Sequence, residues 1–490
     1  TPGTPGAPET ATTPNAAGAA TKAPARATSS PAGAPNSEPT EADVLQHCTL
    51  SDGIPVPRAD ARLGLRPIVS RAAITDRVER EINLPAMPSA VIRILNLLND
   101  KSCSLPQVAE AVEQDQAITL KILRLANSPI YAGALPVESV YKALLRIGLE
   151  QTRQVALTVG VIDRLSKGGH SVDSFKFWMH SITTGVLASE IVKERDEEPD
   201  ASDGAYAVGL LHDVGRMVLS EMLGEEYARV VRAARERRLP LDIAESRMLL
   251  VNHAELMDRV LLRWKFPRMF VNPIAFHHLS PNDARRAAPN QINEVYTVML
   301  ADRLAHAMLI GAGACDAVSP TGELAHALGL DAQSLSEIME RSRARAQSMR
   351  KSVIAAMGLR PTSDAATLTR ARLRDHFRPL FIGAQPGTDA WRCICDALGD
   401  KGGDPPNVII AHIEHTKDRA ALSTSLLHEE RAERCEGLPL LILSPNAEYT
   451  LREDALAGRR HARLPSTLTL DAFADAVNAA VAPPTHAAAA

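Results

Sequence analysis

The run Gly209-Leu210-Leu211-His212-Asp213-Val214-Gly215-Arg216 sets a histidine and an aspartate side by side in an apolar stretch. On a helix, Ala207, Leu210, Leu211, Val214 and Val218 share one stripe at i, i+3, i+4, i+7 and i+11. The pattern predicts a continuous helix over 204–222, with His212 and Asp213 at the margin of the stripe and partly buried. A buried carboxylate requires a hydrogen bond, a counter-ion or a metal. Adjacent imidazole and carboxylate can offer one nitrogen and one oxygen to a single divalent cation. The dipeptide gains meaning only if other segments supply partners.

They do. His180 follows Phe177 by three and precedes Thr184, Leu187 and Ile191 on one stripe. His253 follows Leu249 and Leu250 and precedes Met257, Val260 and Leu261. His277 and His278 come three and four residues after Ile274, and Asp302 three and four after Met299 and Val298. Seven candidate ligands thus face inward from five predicted helices. Taken singly, each inward histidine reads as a hydrogen-bonded core residue. Taken together, one metal site would satisfy them jointly.

Outward from this cluster the chain is helical. Leu84-Pro85-Ala86-Met87-Pro88 is an extended lead-in, because residues before proline avoid the helical region. Helices follow over Ser89–Leu98, from Leu105 with Pro106 in its first turn, and through Ile118, Ile122 and Leu125 to a stop at Asn127-Ser128-Pro129. Another covers Val137–Leu145, with Gly148 before the helix of Val155, Leu157 and Val161. Further stretches are 175–195, 204–222, 225–237, 241–264, 273–280 with Asn272-Pro273 as its start, and 291–309. Residues 71–312 read as one all-helical bundle, and 313–375 as a more polar helical connector or bundle extension.

At Phe377 the period changes. Pro379–Gly383, Asn407–Ala411 and Leu438–Leu443 are short buried runs alternating with the helical stretches Thr388–Leu398 and Leu470–Val481. This pattern predicts a small parallel-sheet α/β domain over 376–483, followed by a tail at 484–490. Residues 1–70 are rich in Ala, Pro, Thr, Gly and Ser and read as a disordered tail.

Composition excludes several classes. A net charge of −4 and 3% aromatics argue against nucleic acid as the main partner. The six cysteines (Cys48, Cys103, Cys315, Cys393, Cys395 and Cys435) form no CxxC pair, so neither a disulfide frame nor a zinc ribbon is expected. No run is long enough for a membrane span and no signal peptide is visible, so the cytoplasm is the expected location. The chain opens on Thr1 rather than Met, leaving room for an upstream piece.

The order His180, His212-Asp213, Asp302 resembles the ligand order of the HD superfamily of metal-dependent phosphohydrolases. With His253 and His277-His278 it resembles the HD-GYP branch, whose members place two or three metals and hydrolyse cyclic dinucleotides. Four segments resemble the HDOD family, the HD-related output domains of bacterial signalling proteins. These are Leu84–Pro88, Leu125–Pro129, Leu210–Gly215, and Trp264-Lys265-Phe266-Pro267 followed by Phe276-His277-His278. The departures matter. Arg216 stands where HD-GYP enzymes carry lysine; it could clamp a phosphate but is a poor acid. Leu279-Ser280-Pro281 replaces their glutamate and Gly-Tyr-Pro signature.

The resemblance therefore implies a regulatory output protein acting on other signalling proteins. Its pocket would take a divalent metal (Fe, Mn, Zn or Mg) at His180, His212, Asp213, His253, His277, His278 and Asp302. The alternative is a metal-dependent phosphohydrolase or nucleotide phosphodiesterase, with a nucleotide or cyclic dinucleotide as ligand. The C-terminal part resembles a response-regulator receiver that has lost its chemistry. Gly383-Ala384 replace the acidic pair, His412 the phosphoacceptor and Leu464-Pro465 the Lys-Pro, while Ser444 fits the hydroxyl position. An unrelated small α/β fold remains the other reading of this part.

Overall fold

The computed structural model describes residues 64–80, 87–98, 103–131, 133, 135–166, 172–195, 199–310, 317–357, 365–373, 376–383, 387–400, 404–431 and 437–482. The expectations for residues 1–63, for Leu84, Pro85, Ala86 and Ala384, and for 484–490 lie outside these.

Local chemistry sets the first helices. After α1 (Arg71–Arg80) and α2 (Ser89–Leu98), α3 (Leu105–Glu113) starts where the Gln107 side chain accepts the Ser104 amide proton at 2.7 Å. Asp115 caps α4 (Gln116–Ala126), accepting from the amides of Ala117 and Ile118 at 2.8 and 3.1 Å. Gly148, at φ 96°, separates α5 (Val140–Ile147) from α6 (Leu149–Leu165) in a conformation that favours glycine. The bundle continues through α7 (Ser174–Glu194), α8 (Pro199–Leu211), α9 (Val214–Leu223), α10 (Glu225–Arg237), α11 (Leu241–Met248), α12 (His253–Arg263), α13 (Arg268–Phe276), α14 (Pro281–Ala287) and α15 (Ile292–Ala307).

Three predicted helices differ from those observed. The 204–222 stretch is broken, with His212 and Asp213 in the turn between α8 and α9. The 241–264 stretch is broken at 249–252, which leaves His253 as the first residue of α12. The predicted start at Asn272-Pro273 is wrong, because Pro273 lies inside α13 and the helix ends before His277 and His278. Hence only His180, His253 and Asp302 project from helices; the other candidate ligands occupy turns.

The segment after α15 is not purely helical. It holds a two-residue strand β1 (Ala317–Val318), then α16 (Gly322–Ala327), α17 (Ala332–Met357) and α18 (Ala365–Arg372). α17 belongs to the bundle, placing Ala346, Met349, Val353 and Ala356 in the core built by α1–α13. Arg345 of α17 also forms ion pairs with Glu150 and Glu190 on α6 and α7.

The α/β part is as predicted in class. Strands β2 (Pro379–Gly383), β3 (Val408–His412), β4 (Leu440–Ser444) and β5 (His461–Pro465) form one parallel sheet in that order. β3 and β4 are buried at every position, which is why each reads as a continuous apolar run. On one face, Trp391 and Ile394 of α19 (Ala390–Leu398) meet Phe473 and Val477 of α22 (Leu470–Val481) over Val408, Ile410 and Leu441. On the other, Leu422 and Leu426 of α20 (Arg419–Arg431) and Ala455 of α21 (Glu453–Leu456) cover Ile409, Ala411 and Ile442. A receiver sheet runs 2-1-3-4-5; here the described strands run in sequence order with no reversal. A sixth strand, β6 (Leu468–Thr469), pairs antiparallel with β1 and so joins the α/β part to the segment after α15.

Candidate metal centre

Two glycines bring the centre together. A Cβ on Gly209 of α8 would lie 2.7 Å from both the Gly185 Cα and the Thr184 carbonyl oxygen of α7. That backbone-to-backbone approach carries the end of α8, and so His212, toward His180. A Cβ on Gly215 would lie 2.2 Å from the His253 carbonyl oxygen, so α9 is seated directly on the start of α12.

The helix breaks have a chemical cause. His212 Nδ1 donates to the Gly209 carbonyl at 2.7 Å, and His277 Nδ1 donates to the Ile274 carbonyl at 2.7 Å. Each imidazole takes a carbonyl near the end of its own helix and caps it. A carbonyl only accepts, so Nδ1 carries a proton, and Nε2 is the nitrogen whose lone pair a metal would take. His253 is oriented likewise: its Nδ1 lies 2.6 Å from Glu245 Oε2, and Tyr227 donates to Glu245 Oε1 at 2.6 Å. An Nδ1 anchored to a carbonyl or carboxylate is how metal-ligating histidines are held.

All seven predicted ligands converge. Asp213 Oδ1 lies 2.9 Å from His253 Nε2 and 3.7 Å from His277 Nε2, and His278 Nε2 lies 3.0 Å from His253 Nε2. Asp213 Oδ2 lies 3.4 Å from His212 Nε2 and 3.8 Å from His180 Nε2. Asp302 Oδ1 approaches His180 Nε2 at 3.1 Å, His212 Nε2 at 3.5 Å and His306 Nε2 at 3.4 Å. Three sets could each hold a cation: Asp213, His253, His277 and His278; His180, His212 and Asp213; His180, Asp302 and His306. The first two sets share Asp213 and the last two share His180.

Burial is nearly complete. His212, Asp213 and His253 are 0% exposed, His180 2% and His277 3%, while Asp302 and His306 at 8% mark the margin. The predicted partial burial of His212 and Asp213 is thus corrected to full burial. His212 Nε2 and His277 Nε2 are buried without a hydrogen bond, and Asp213 is buried with only the ion-pair contacts to its histidine neighbours and Arg216. Orphaned atoms of this kind are costly, and a nitrogen and oxygen donor set suits a divalent cation. The residues present fit a metal.

The surroundings split the titrations. Burial, with His306, pushes His180 down to about 4, and burial with His277 and His253 drives His278 well below its ordinary value. Burial opposes charge on His212 and His253 too, yet Asp213 and Asp302 hold His212 up at about 10, and Glu245 and Asp213 hold His253 at about 9. Against the burial penalty, Arg216 and His212 keep Asp213 well below the usual carboxylate range. Arg216 is itself buried, its Nη1 3.0 Å from Asp213 Oδ2, so its charge is directed at the bridging carboxylate.

Sequence reasoning missed Glu245, Tyr227 and His306. His306 had a legible signal, since it lies one turn after Asp302 on the same helix face.

A helical bundle closed around inward histidines and aspartates is the class this fold and site define. Within it, residues 84–280 match the family model of the HDOD domain, and the chain carries such a domain over that span. It is 25% identical over 218 residues to an uncharacterized protein of Treponema pallidum (strain Nichols), covering 44% of this chain and 41% of that protein. The chain thus spans less than half the length of that relative. Among solved structures, it resembles an HDOD domain protein from Geobacter sulfurreducens at 25% identity and TM-score 0.49, covering 59% of this chain and 98% of that one. It also resembles the MmoQ response regulator of Methylococcus capsulatus str. Bath at 28% identity and TM-score 0.31, covering 52% and 97%. Among the described residues, no helix is long and apolar enough to cross a membrane.

Proposed function

We propose that this chain is a signal-transduction output protein that works through contacts with other proteins, and that its histidine–aspartate cluster holds a pair of divalent cations inside the fold. The observation that carries the metal reading is the pair of buried nitrogens without a hydrogen bond beside Asp213, His212 Nε2 and His277 Nε2, with His212, His253 and His277 each turned by an anchored Nδ1. His253, His277 and His278 would hold one cation, and His180, His212 and Asp302 the other, with Asp213 between them. A bound cation would neutralise Asp213 and Asp302 and could polarise a phosphate oxygen or a water. Two features favour regulation over turnover. The cluster is enclosed, and Arg216 faces Asp213. In addition, Leu135, Leu145 and Tyr141, at 74%, 59% and 44% exposure, give the α4–α5 end apolar surface of the kind used for protein contacts.

The rival reading, a metal-dependent phosphohydrolase, is favoured by the less buried margin at Asp302, His306 and the half-buried His278, where a phosphate could approach. Metal analysis of the purified chain, combined with a screen of nucleotides and cyclic dinucleotides for hydrolysis, separates the two. Metal-loaded protein without turnover supports the regulatory reading. Turnover abolished by His212→Ala would replace it with the enzyme. Protein that neither retains nor takes up a divalent cation would refute the metal centre.

A further inference from the structure

Parts of two segments that carry the family resemblance lie outside the metal cluster, and they meet elsewhere. Met87, from the Leu84–Pro88 motif, and Trp264-Lys265, from the Trp264–Pro267 motif, line one open groove of about 440 Å³. That volume lies in the range of small-molecule sites.

The groove is cationic. Arg93, Arg263 and Lys265 all line it, and Ser89 brings the amino end of α2 to it, an end that favours anions. Arg93 donates to Glu110 at 2.8 Å, and Arg263 is held by the carbonyls of Val78 and Glu79. The Glu79 carboxylate pairs elsewhere, with Arg259 at 2.7 Å. Lys265 is exposed, and among the described residues no ion pair is recorded for it. Trp264, 6% exposed, also lines it, and its indole N–H is buried without an acceptor. A buried donor left unmade is costly, and a ligand acceptor would satisfy it. Beside the charges, Met87 and Ile92 supply an apolar wall.

The backbone at Lys265 is informative. α12 ends in a Schellman turn, with the Lys265 amide on the Leu262 carbonyl at 3.0 Å and the Phe266 amide on the Leu261 carbonyl at 2.9 Å. Lys265 occupies the left-handed position, φ 61°, where glycine is favoured. A lysine is held there at a conformational cost, as part of the groove's lining.

The geometry points to a second ligand site here, one that takes an organic phosphate with a flat apolar portion, a nucleoside phosphate in chemical class. The phosphate meets Lys265 and Arg93, the ring lies on Met87 and Ile92, and the Trp264 N–H donates to a ligand acceptor. This reading does not depend on the metal centre.

The test is calorimetric titration of the full chain with adenosine monophosphate and, separately, with inorganic phosphate. The nucleotide is expected to saturate and to bind at least about tenfold tighter than phosphate. Lys265→Gly keeps the turn and relieves its strain while removing the charge, and Arg93→Gln keeps a donor for Glu110. Each should weaken nucleotide binding by about tenfold or more with melting temperature held or raised. Trp264→Phe should weaken it several-fold. Absence of binding up to about 5 mM nucleotide, or unchanged affinity in Lys265→Gly and Arg93→Gln, overturns the site. Phosphate binding as tightly as the nucleotide overturns the assigned ligand. Binding abolished by a metal chelator but retained in Lys265→Gly assigns the ligand to the histidine–aspartate cluster and overturns the inference.

Discussion

Replacing Gly209 with alanine tests how the centre is assembled. The added methyl would stand 2.7 Å from the Gly185 Cα and the Thr184 carbonyl oxygen, both backbone atoms that cannot swing away. Restoring an ordinary contact near 3.4 Å requires α7 and α8 to separate by about 0.7 Å. Overpacking of this kind costs about 1–3 kcal/mol, while alanine returns up to about 1 kcal/mol of helix propensity. The expected net loss is about 1–2 kcal/mol, or a melting temperature lower by roughly 2–8 °C for a domain this large. The same displacement moves His212 away from His180, and metal sites tolerate ligand errors of about 0.2 Å. Titration with Mn²⁺ or Zn²⁺ should therefore show affinity at the His180–His212–Asp302 position reduced by about tenfold or more. Calorimetry reads the first effect and metal titration the second. A Gly209→Ala protein that melts at or above the parent and binds metal equally would refute the glycine contact as the device that sets the ligand spacing.

Glu245→Gln removes the carboxylate from His253 Nδ1 and should lower metal affinity by about 10–100-fold, measured by competition with a chelating dye. Because Asp213, Asp302 and Glu245 hold His212 and His253 protonated near neutrality, metal uptake should release about two protons and tighten as pH rises from 6.5 to 8.5. Titration in buffers of different ionisation enthalpy checks the proton count, and uptake without proton release contradicts it. Arg153→Met strips the partner from Asp203, which is buried at 1% exposure, and should cost about 3–5 kcal/mol in denaturant unfolding. In the α/β part, Asp389 lies 2.7 Å from His412 Nδ1 and raises its pKa despite burial. Its stabilisation is full below about pH 6.5 and lost as pH rises through the folded value, a dependence that Asp389→Asn should flatten in melts against pH.

The candidate ligands were legible because periodicity alone turned seven polar residues toward apolar stripes, and all seven meet. The breaks at His212-Asp213 and His277-His278 were not legible. The apolar stripe runs on through the first, and what stops each helix is an imidazole that reaches back to its own backbone. Glu245 faces the cluster only because the connection 249–252 folds it under His253, a tertiary fact that leaves no periodic trace. Tyr227 is placed by Glu245 in turn. The parallel strands announced themselves as short apolar runs, whereas β1 and β6 are two-residue strands some 150 positions apart, paired only once the chain is folded.

α15 has a consequence for how this protein could be taken apart. Asp302 and His306 on this helix serve the cluster, while Ala307 and the following Leu309 are packed in the core of the α/β part with Trp391 and Phe473. Arg303, the neighbour of Asp302, donates to the carbonyl of Pro320 on the connecting segment. A protein severed after Ile310 would expose that apolar end and lose the framework behind two members of the cluster. The C-terminal part is thus no detachable accessory: a lesion in its core should be felt as a loss of order within about a turn, at Asp302 and His306 on the same end of the helix.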